Sequence, residues 1–221
     1  MKLTNQDLAQ MEKRYRAKLI NSLSGFKSAN LIGTRSKSGQ SNLSVVSSVT
    51  HLGSDPALLL TVFRPDSVDR HTLEYIQETK VYTLNHINSS IFEAAHQTSA
   101  RYERDQSEFE MVGLSEEYSD NFSAPFVKES HIKMAMDLRE VHKLEINGCV
   151  MIYGEIREII LPESSLQDDG FVDLEGAKTV CVSSLDSYHE TKRLSRLSYA
   201  KPNLDLKHLN LKGEVVETKS L

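Results

Sequence analysis

Residues 39–50 read Gly-Gln-Ser-Asn-Leu-Ser-Val-Val-Ser-Ser-Val-Thr, which is the most informative local pattern in the chain. After a polar turn, apolar and small polar side chains alternate from 42 to 50, and this alternation predicts a half-buried strand. In such a strand Ser47 and Ser48 point to opposite faces of the sheet. Because hydroxyl groups on a strand can donate hydrogen bonds to a bound anion, the stretch predicts a sheet and a candidate binding surface together.

The sequence on either side predicts a sheet interrupted by short helices. Thr4, with an acid three residues later, is typical of a helix N-terminus, and Ser90 and Glu93 have the spacing of a capping box. Asn147 and Gly148 predict a tight hairpin turn. The predicted elements are helices at 4–25, at 68–78 and from 90 onward, and strands at 29–34, 42–50, 57–63, 81–85, 131–144 and 149–161. Because turns or short helices join neighbouring strands, we expect a mainly β fold with helices (α+β), in which a largely antiparallel sheet closes on itself.

The composition is that of a globular protein, with 39% apolar and 26% charged residues among 221. A net charge of -5 argues against a nucleic-acid partner, which requires a basic face. No apolar run reaches the roughly 20 residues that a membrane helix needs, and the polar N-terminus lacks the apolar segment of a signal peptide. The two cysteines, Cys149 and Cys181, do not form a CxxC pair, so we expect reduced thiols in the core of a cytoplasmic protein.

A group of hydroxylated and basic side chains could bind an anion such as a phosphate monoester. Two serines lie in the predicted strand 42–50, and one arginine follows the strand 57–63. The others lie in the first turn of the helix at 68–78, where free N–H groups point outward. The six candidates are Ser47, Ser48, Arg64, Arg70, His71 and Thr72. The alternative is a set of ordinary surface hydroxyls beside a solvated helix start, and Asp66 and Asp69 would weaken the positive field there.

Two further clusters carry polar side chains that could contact a ligand. Asn42 enters its predicted strand from a polar turn, where its amide could bind the edge of a flat heterocycle, unless it is a plain turn residue. One helix end reads His96-Gln97-Thr98-Ser99, and Tyr102 lies one helical turn beyond Thr98. The alternative for this second cluster is a solvated helix end.

Other catalytic and metal-binding patterns are missing from the sequence. The glycines form neither GxGxxG nor a P-loop, and no GxSxG elbow occurs. The eight histidines do not pair with one another or with cysteine at ligand spacing, so we predict no metal site. We therefore expect no catalytic acid, base or nucleophile, and a bound cofactor would carry any chemistry.

Taken in chain order, these segments resemble the flavin reductase-like family of FMN-binding split barrels over roughly residues 26–200. The segments that carry the resemblance are Leu31-Ile32-Gly33-Thr34, Gly39-Gln40-Ser41-Asn42-Leu43, Ser47-Ser48, Pro56, Arg70-His71-Thr72, the strand ending at Asn85, Phe109-Glu110-Met111-Val112-Gly113-Leu114, Ala124-Pro125-Phe126-Val127-Lys128-Glu129-Ser130 and Tyr153-Gly154-Glu155-Ile156. The chain departs from the family pattern at the helix start, where Arg-His-Thr replaces Lys-Asp-Thr, and at Asp55-Pro56, where Pro-Pro is usual. The long strand reads Lys133-Met134-Ala135-Met136 in place of the usual Glu-Cys pair.

The resemblance implies a split β-barrel that binds FMN near a homodimer interface. It implies three groups of cofactor-binding residues: one for the phosphate, one for the ring system or ribityl chain, and one from the partner subunit. The phosphate group would be bound by Ser48, Arg70 and Thr72, with Ser47, Arg64 and His71 as further candidates. The ring system or ribityl chain would contact Asn42, Leu43 and Ser44. The partner subunit would contribute Thr98, Ser99 and Tyr102. The chain would divide into an N-terminal helix at 1–25, the split-barrel domain at 26–200, and a tail or dimer arm at 201–221.

The same resemblance implies an oxidoreductase that moves hydride from NADH or NADPH to bound FMN, and on to free flavin or another small acceptor. With no dinucleotide-binding motif in the sequence, a reduced nicotinamide would stack over the exposed ring face. His96 and His142 are candidates to line that face, and the alternative for each is a structural or solvated histidine. Two alternatives remain open. One is a non-catalytic flavin-binding or electron-carrier protein of the same fold, and the other is a small barrel without a cofactor.

Overall fold

The computed structural model describes residues 1–65 and 70–216, so Asp66, Asp69 and the predicted helix start at Val68 lie outside the described residues. The helices within those ranges are α1 Asn5–Gln10, α2 Lys13–Leu23, α3 His71–Thr79, α4 Phe92–Gln97 and α5 Glu108–Val112, with a short 3₁₀ helix at Glu163–Ser165. The strands are β1 Lys27–Ser28, β2 Asn30–Arg35, β3 Ser41–Val46, β4 Val49–Ser54, β5 Ala57–Phe63, β6 Val81–His86, β7 Glu116–Glu117, β8 Phe126–Val127, β9 Lys133–Lys143, β10 Val150–Ile160, β11 Cys181–Ser183, β12 Ser187–His189, β13 Arg196–Leu197 and β14 His208–Leu209.

Seven of these strands form one antiparallel sheet in the order β3-β2-β6-β9-β10-β5-β4. The two edge strands are neighbours in the chain, because only Ser47 and Ser48 separate the end of β3 from the start of β4. The two edges of the sheet must therefore meet at these serines, and the sheet closes into a barrel. This antiparallel, self-closing sheet confirms the predicted fold class.

The prediction of one continuous strand over 42–50 is wrong, because the stretch forms two strands with different partners. β3 pairs with β2, whereas β4 pairs with β5. Ser48 lies at the change of partner. Its carbonyl accepts from the Val62 N–H at 3.2 Å, and its hydroxyl donates to the Val62 carbonyl at 2.5 Å. Alternation of side chains is the same in one strand or two, so the sequence pattern could not show this break.

The sheet is buried on both faces at β2, the neighbour of the edge strand β3. On β2, the adjacent residues Leu31 and Ile32 are both fully buried, but they belong to different apolar clusters. Ile32 packs with Tyr82 and Met136 in the interior of the barrel, whereas Leu31 packs with Phe109 beneath the short helices. α4 and α5 therefore cover the outer face of β2 and β3, and they hold the segment between them beside the point where the barrel closes.

The N-terminal segment forms two short helices, so the prediction of a single helix at 4–25 is wrong. Thr4 caps α1 in a capping box with Asp7, as its spacing predicts. The chain then turns at Met11, and Glu12 caps α2 by accepting from the Tyr15 N–H at 2.9 Å. Neither helix buries a residue. Within the described ranges, no helix combines the length and the apolarity that crossing a membrane requires.

Two predictions from turn chemistry have different outcomes. The hairpin between β9 and β10 forms as predicted, with Gly148 at φ 72°, although its connection spans 144–149 rather than two residues. The capping box at Ser90 and Glu93 does not form, because the Ser90 N–H and hydroxyl both donate to the Asn88 side chain. α4 therefore begins without a side-chain cap.

The segment after the barrel folds back onto the body of the protein as far as residue 216. β13 pairs with β14, and Arg196 forms an ion pair with Asp169 in the preceding loop. The Arg196 guanidinium also lies over the Phe171 ring, 4.1 Å from its centroid. The predicted boundary at 201 thus falls between two paired strands, and the division of the chain into three parts stays a prediction.

The barrel interior leaves no room for a side chain at Gly154 on β10. A Cβ atom at this position would lie 2.1 Å from the hydroxyl oxygen of Tyr82. Tyr82 is fully buried, and its hydroxyl has no hydrogen-bond partner among the described residues. We expect Gly154→Ala to lower the free energy of unfolding by about 1–3 kcal/mol, because a packed core resists the shift that the methyl group demands. Urea denaturation followed by circular dichroism measures this change.

Gly53→Ala is the matched control, because Gly53 lies on the edge strand β4 and its added Cβ would meet the Pro56 carbonyl oxygen at an ordinary 3.5 Å. Its effect should be below about 0.5 kcal/mol. Tyr82→Phe removes the hydroxyl but leaves Tyr82 Cζ at 3.0 Å and Met136 Cε at 3.1 Å, so it should restore part of the stability that Gly154→Ala loses. An equal loss with and without this hydroxyl would contradict the packing account.

Candidate functional site

A cleft of about 1060 Å³ lies where the barrel closes. The connection between β3 and β4 forms one side, and the end of β5, the start of α3, the segment after α4 and the β11–β12 hairpin surround it. All of the predicted cofactor-binding residues except Leu43 line this cleft. Cys149, which we expected in the core, is half-buried and lines it too.

Leu43 faces the core instead of the cleft. Its side chain is fully buried in the apolar cluster that also contains Phe109. Only its N–H reaches the cleft wall, where it donates to Oε2 of Glu108 at 3.0 Å. Since Asn42 and Ser44 point to the opposite face of β3, the side chain of Leu43 between them points away from the cleft and into that cluster.

Three arginines, Arg64, Arg70 and Arg101, line the cleft without a carboxylate partner among the described residues. Arg64 follows β5 and is exposed, and Arg70 at the start of α3 donates from Nε to the Pro65 carbonyl at 2.9 Å. Burial and, secondly, the positive charge of Arg64 lower the pKa of Lys27. An anion in this part of the cleft would meet guanidinium groups that no described carboxylate neutralises.

The hydroxyl groups on the cleft differ in whether their protons are available to a ligand. Within the described chain, the side chains of Ser44, Ser47 and Ser99 form no hydrogen bond. The Ser48 hydroxyl donates to the carbonyl of Val62 at 2.5 Å, and the Thr72 hydroxyl donates to Oδ1 of Asn42 at 3.1 Å. A hydroxyl whose proton is engaged within the protein can accept from a ligand but cannot donate to it. Ser44, Ser47 and Ser99 are therefore the serines whose hydroxyl protons are available to a ligand.

A buried network joins β3, α3 and α5 at the cleft wall. Oδ1 of Asn42 accepts from the Thr72 hydroxyl at 3.1 Å, and Nδ2 of Asn42 donates to Oε2 of Glu108 at 2.7 Å. The three residues Asn42, Thr72 and Glu108 are 5%, 6% and 8% exposed. With both ends of its amide engaged, Asn42 has one orientation, and the starts of the two helices are held against the strand.

The contact between Asn42 and Thr72 changes the predicted arrangement of the site. The family resemblance assigns Asn42 to the ring or ribityl chain and Thr72 to the phosphate, yet these side chains are hydrogen-bonded to each other. A ligand that touches both must place neighbouring groups there. For FMN this favours the phosphate and the end of the ribityl chain next to it.

Thr98, Ser99 and Tyr102 line the cleft of their own chain, whereas the resemblance assigns them to a partner subunit. The Thr98 hydroxyl donates to the Ala95 carbonyl at 2.8 Å and accepts from the Val45 N–H at 3.0 Å. It therefore fastens the end of α4 to β3. Ser99 is exposed and Tyr102 is half-buried, so both remain accessible from the cleft.

The three histidines that the sequence analysis singled out lie in different surroundings. His71 lines the cleft, and its ring stacks on Tyr75 with 6.4 Å between centroids. His96 lines the cleft at the β11–β12 hairpin, where its Nδ1 is 3.2 Å from the Tyr188 hydroxyl. His142 is exposed on β9 and does not line the cleft. Of the two candidates for the nicotinamide face, only His96 is in a position to contact a bound ligand.

The sequence analysis did not identify several residues that line the cleft, because their segments contain no recognisable motif. Arg104 forms an ion pair with Glu74 at 2.7 Å, which ties the segment after α4 to α3. Tyr188 is half-buried, and burial followed by the charge of Asp186 raises its pKa, so that its hydroxyl stays protonated at neutral pH. Glu108 is one acid at a helix start in the sequence, and nothing local indicates that its side chain is buried.

Comparison with known families agrees with this geometry. Residues 23–176 match the family model of the flavin reductase like domain. The chain belongs to this family. Membership supports a flavin as the ligand of the cleft, because the matched range includes both strands of the barrel closure and the start of α3.

Three solved structures have the same architecture. A protein of Shewanella frigidimarina NCIMB 400, described as a candidate flavin reductase with a split barrel domain, is 50% identical with a TM-score of 0.88, covering 90% of this chain and 100% of that one. Nitrilotriacetate monooxygenase component B of Bacillus cereus is 19% identical with a TM-score of 0.79, covering 89% and 98%. An FMN-binding protein of Thermus thermophilus with bound 1-cyclohex-2-enone is 14% identical with a TM-score of 0.60, covering 74% and 85%. The barrel is therefore the predicted split β-barrel.

Proposed function

We propose that this flavin reductase-like protein binds FMN in the cleft and acts as an NAD(P)H-dependent oxidoreductase that reduces free flavin or another small acceptor. The observation that carries the proposal is the pair of guanidinium groups of Arg64 and Arg70, which line the cleft without a carboxylate partner among the described residues. The Thermus thermophilus protein of the same fold binds FMN, which favours this flavin over others.

The hydrogen-bond donors of the cleft near the start of α3 suit a phosphate monoester. Such a group carries close to two negative charges and offers strong acceptor oxygens. Arg64 and Arg70 would donate charge-assisted hydrogen bonds, and Ser47 would donate a neutral one. The N–H groups of His71 and Thr72 lie in the first turn of α3, at the positive end of the helix. We therefore assign the phosphate to these groups. The Thr72 backbone N–H would donate to the phosphate, because the proton of the Thr72 hydroxyl is donated to Asn42.

The adjoining wall suits the ribityl chain and the ring system. The Ser44 hydroxyl has a proton that it can donate to a ligand. The Ser48 hydroxyl donates its proton to the Val62 carbonyl, so toward a ligand it can act only as an acceptor. Ribityl hydroxyls both donate and accept, so they can bind to either serine. Val45, Val46 and Phe63 also line the cleft and offer apolar surface to a flat ring.

When bound, FMN would supply the redox chemistry by taking a hydride from NADH or NADPH and passing the electrons to an acceptor. The chain itself would bind and orient the reactants and keep water from the ring. His96 and Tyr188 also line the cleft, with Nδ1 of His96 3.2 Å from the Tyr188 hydroxyl, and would offer hydrogen bonds to a second substrate. This division of roles needs no acid–base pair from the protein.

The activity is tested by anaerobic titration of the FMN-loaded protein with NADH and, separately, with NADPH. We expect the yellow colour of the flavin to bleach with at least one donor, and we expect continued NAD(P)H oxidation when free FMN is added in excess. A single bleach without continued turnover would indicate the flavin-binding or electron-carrier alternative. Persistent colour with both donors would rule out reductase activity.

The phosphate assignment predicts how arginine removal affects binding. Arg64→Ala and Arg70→Ala should each weaken FMN binding by roughly tenfold to a hundredfold, the usual effect of losing one charge-assisted hydrogen bond. Riboflavin binding should be nearly unchanged, since riboflavin has no phosphate. Fluorescence titration measures both affinities, and Arg139→Ala on the exposed part of β9, which does not line the cleft, serves as the control. Equal effects on FMN and riboflavin would place the phosphate elsewhere.

We also propose that two copies of the chain form a homodimer. The apolar side chains Tyr15, Leu23 and Phe26, on and just after α2, are 61%, 71% and 69% exposed. An apolar surface of this kind is costly in water and is typical of a protein interface. Sedimentation equilibrium at micromolar concentration should give twice the mass of one chain, and Leu23→Asp should lower it. A monomeric wild-type protein would contradict this proposal.

A further inference from the structure

Glu108 is a buried carboxylate on the wall of the cleft. It is 8% exposed, and no lysine, arginine or histidine of the described chain forms an ion pair with it. Oε2 instead accepts from Asn42 Nδ2 at 2.7 Å and from the Leu43 N–H at 3.0 Å. Two N–H donors hold the carboxylate in place, but no cationic partner neutralises its charge.

This carboxylate lies close to the positive end of α3. Asn42 connects Glu108 to the hydroxyl of Thr72, which is in the first turn of that helix. Two successive hydrogen bonds therefore separate Glu108 from the group of donors that we assign to the phosphate. Two negative groups that share one positive region repel each other, and the repulsion is strongest where burial excludes water.

The other carboxylates that line the cleft are in a different position. Glu103 and Asp186 are both exposed, and Asp186 lies 3.7 Å from the ammonium group of Lys18. Solvent and salt screen exposed charges of this kind. Among the acidic residues on the described cleft, Glu108 is the buried one, so its charge acts on a bound anion with the least screening.

We propose that Glu108 sets how tightly the cleft holds a phosphorylated flavin, so that FMN is an exchangeable substrate and not a permanently bound group. This inference rests on the proposed function, because it takes the phosphate to lie at the start of α3. Arg64 and Arg70 attract the phosphate, whereas Glu108 opposes it from the other side of Asn42. The balance of these charges lets the flavin enter and leave, and it reduces the preference for FMN over riboflavin.

Glu108→Gln tests this role, because glutamine keeps the shape and one oxygen that can accept from Asn42 and Leu43, while it removes the charge. We expect the dissociation constant of FMN to fall roughly tenfold, as for the loss of one partly screened repulsive charge. FMN should then stay bound through gel filtration, which the wild type should not achieve. The dissociation constant of riboflavin should stay nearly constant. Fluorescence titrations with both ligands measure the ratio of the two constants.

Glu103→Gln is the matched control, since it makes the same chemical change on an exposed carboxylate of the same cleft and should leave the ratio unchanged. Glu108→Met is a second neutral variant, and it should also raise the preference for FMN over riboflavin even if it lowers both affinities. Thermal unfolding followed by circular dichroism shows that each variant is folded.

Three outcomes would overturn the inference. One is an FMN affinity in Glu108→Gln that is equal to or weaker than that of the wild type. Another is an equal change for FMN and riboflavin, which would show that Glu108 only maintains the shape of the cleft. If the wild type does not distinguish FMN from riboflavin, and Arg64→Ala and Arg70→Ala do not change this, the phosphate assignment itself fails, and the inference fails with it.

Discussion

The backbone and side-chain hydrogen bonds between Ser48 and Val62 are the contacts on which the rest of this structure depends. They join the connection between β3 and β4 to β5, the neighbour of the edge strand β4, and so bring the two edges of one sheet together. β3 and β4 each pair with a single strand of this sheet, so the closure depends on these contacts and not on a ladder between the two outer strands. The same closure leaves small side chains at the junction, and the cleft lies there.

The cleft owes its polarity to the ends of short elements that meet at this junction. Arg64 directly follows β5, Arg70 directly precedes α3, and Thr98 directly follows α4. Arg70 donates to the Pro65 carbonyl and Thr98 accepts from the Val45 N–H, so both residues are tied to the strands next to the closure. α4 and α5 are short and poorly capped, but the apolar cluster around Leu31 and Phe109 holds them in place. The binding groups are therefore positioned by barrel packing and not by the stability of the individual helices.

Side chains of opposite charge line the cleft. Arg64 and Arg70 offer guanidinium groups without a described carboxylate partner, while Glu108 brings a buried negative charge close to the same helix start. Such an arrangement is poorly suited to the tightest possible binding of an anion. It would suit the flavin exchange that we propose, because attraction would steer the ligand in and the buried carboxylate would limit how long it stays.

The sequence by itself determined β5 at Ala57–Phe63, the β9–β10 hairpin, and the two arginines as anion-binding candidates, because alternation, Asn-Gly turn chemistry and residue type act over a few residues. Only the tertiary structure decided that 42–50 divides between two edges of a barrel, that the Thr72 proton is engaged by Asn42, and that Glu108 faces the cleft. Those contacts join residues 30 and 66 positions apart in the chain. Pairing partners and burial at such separations depend on how the whole barrel closes, and no local pattern of residues records them.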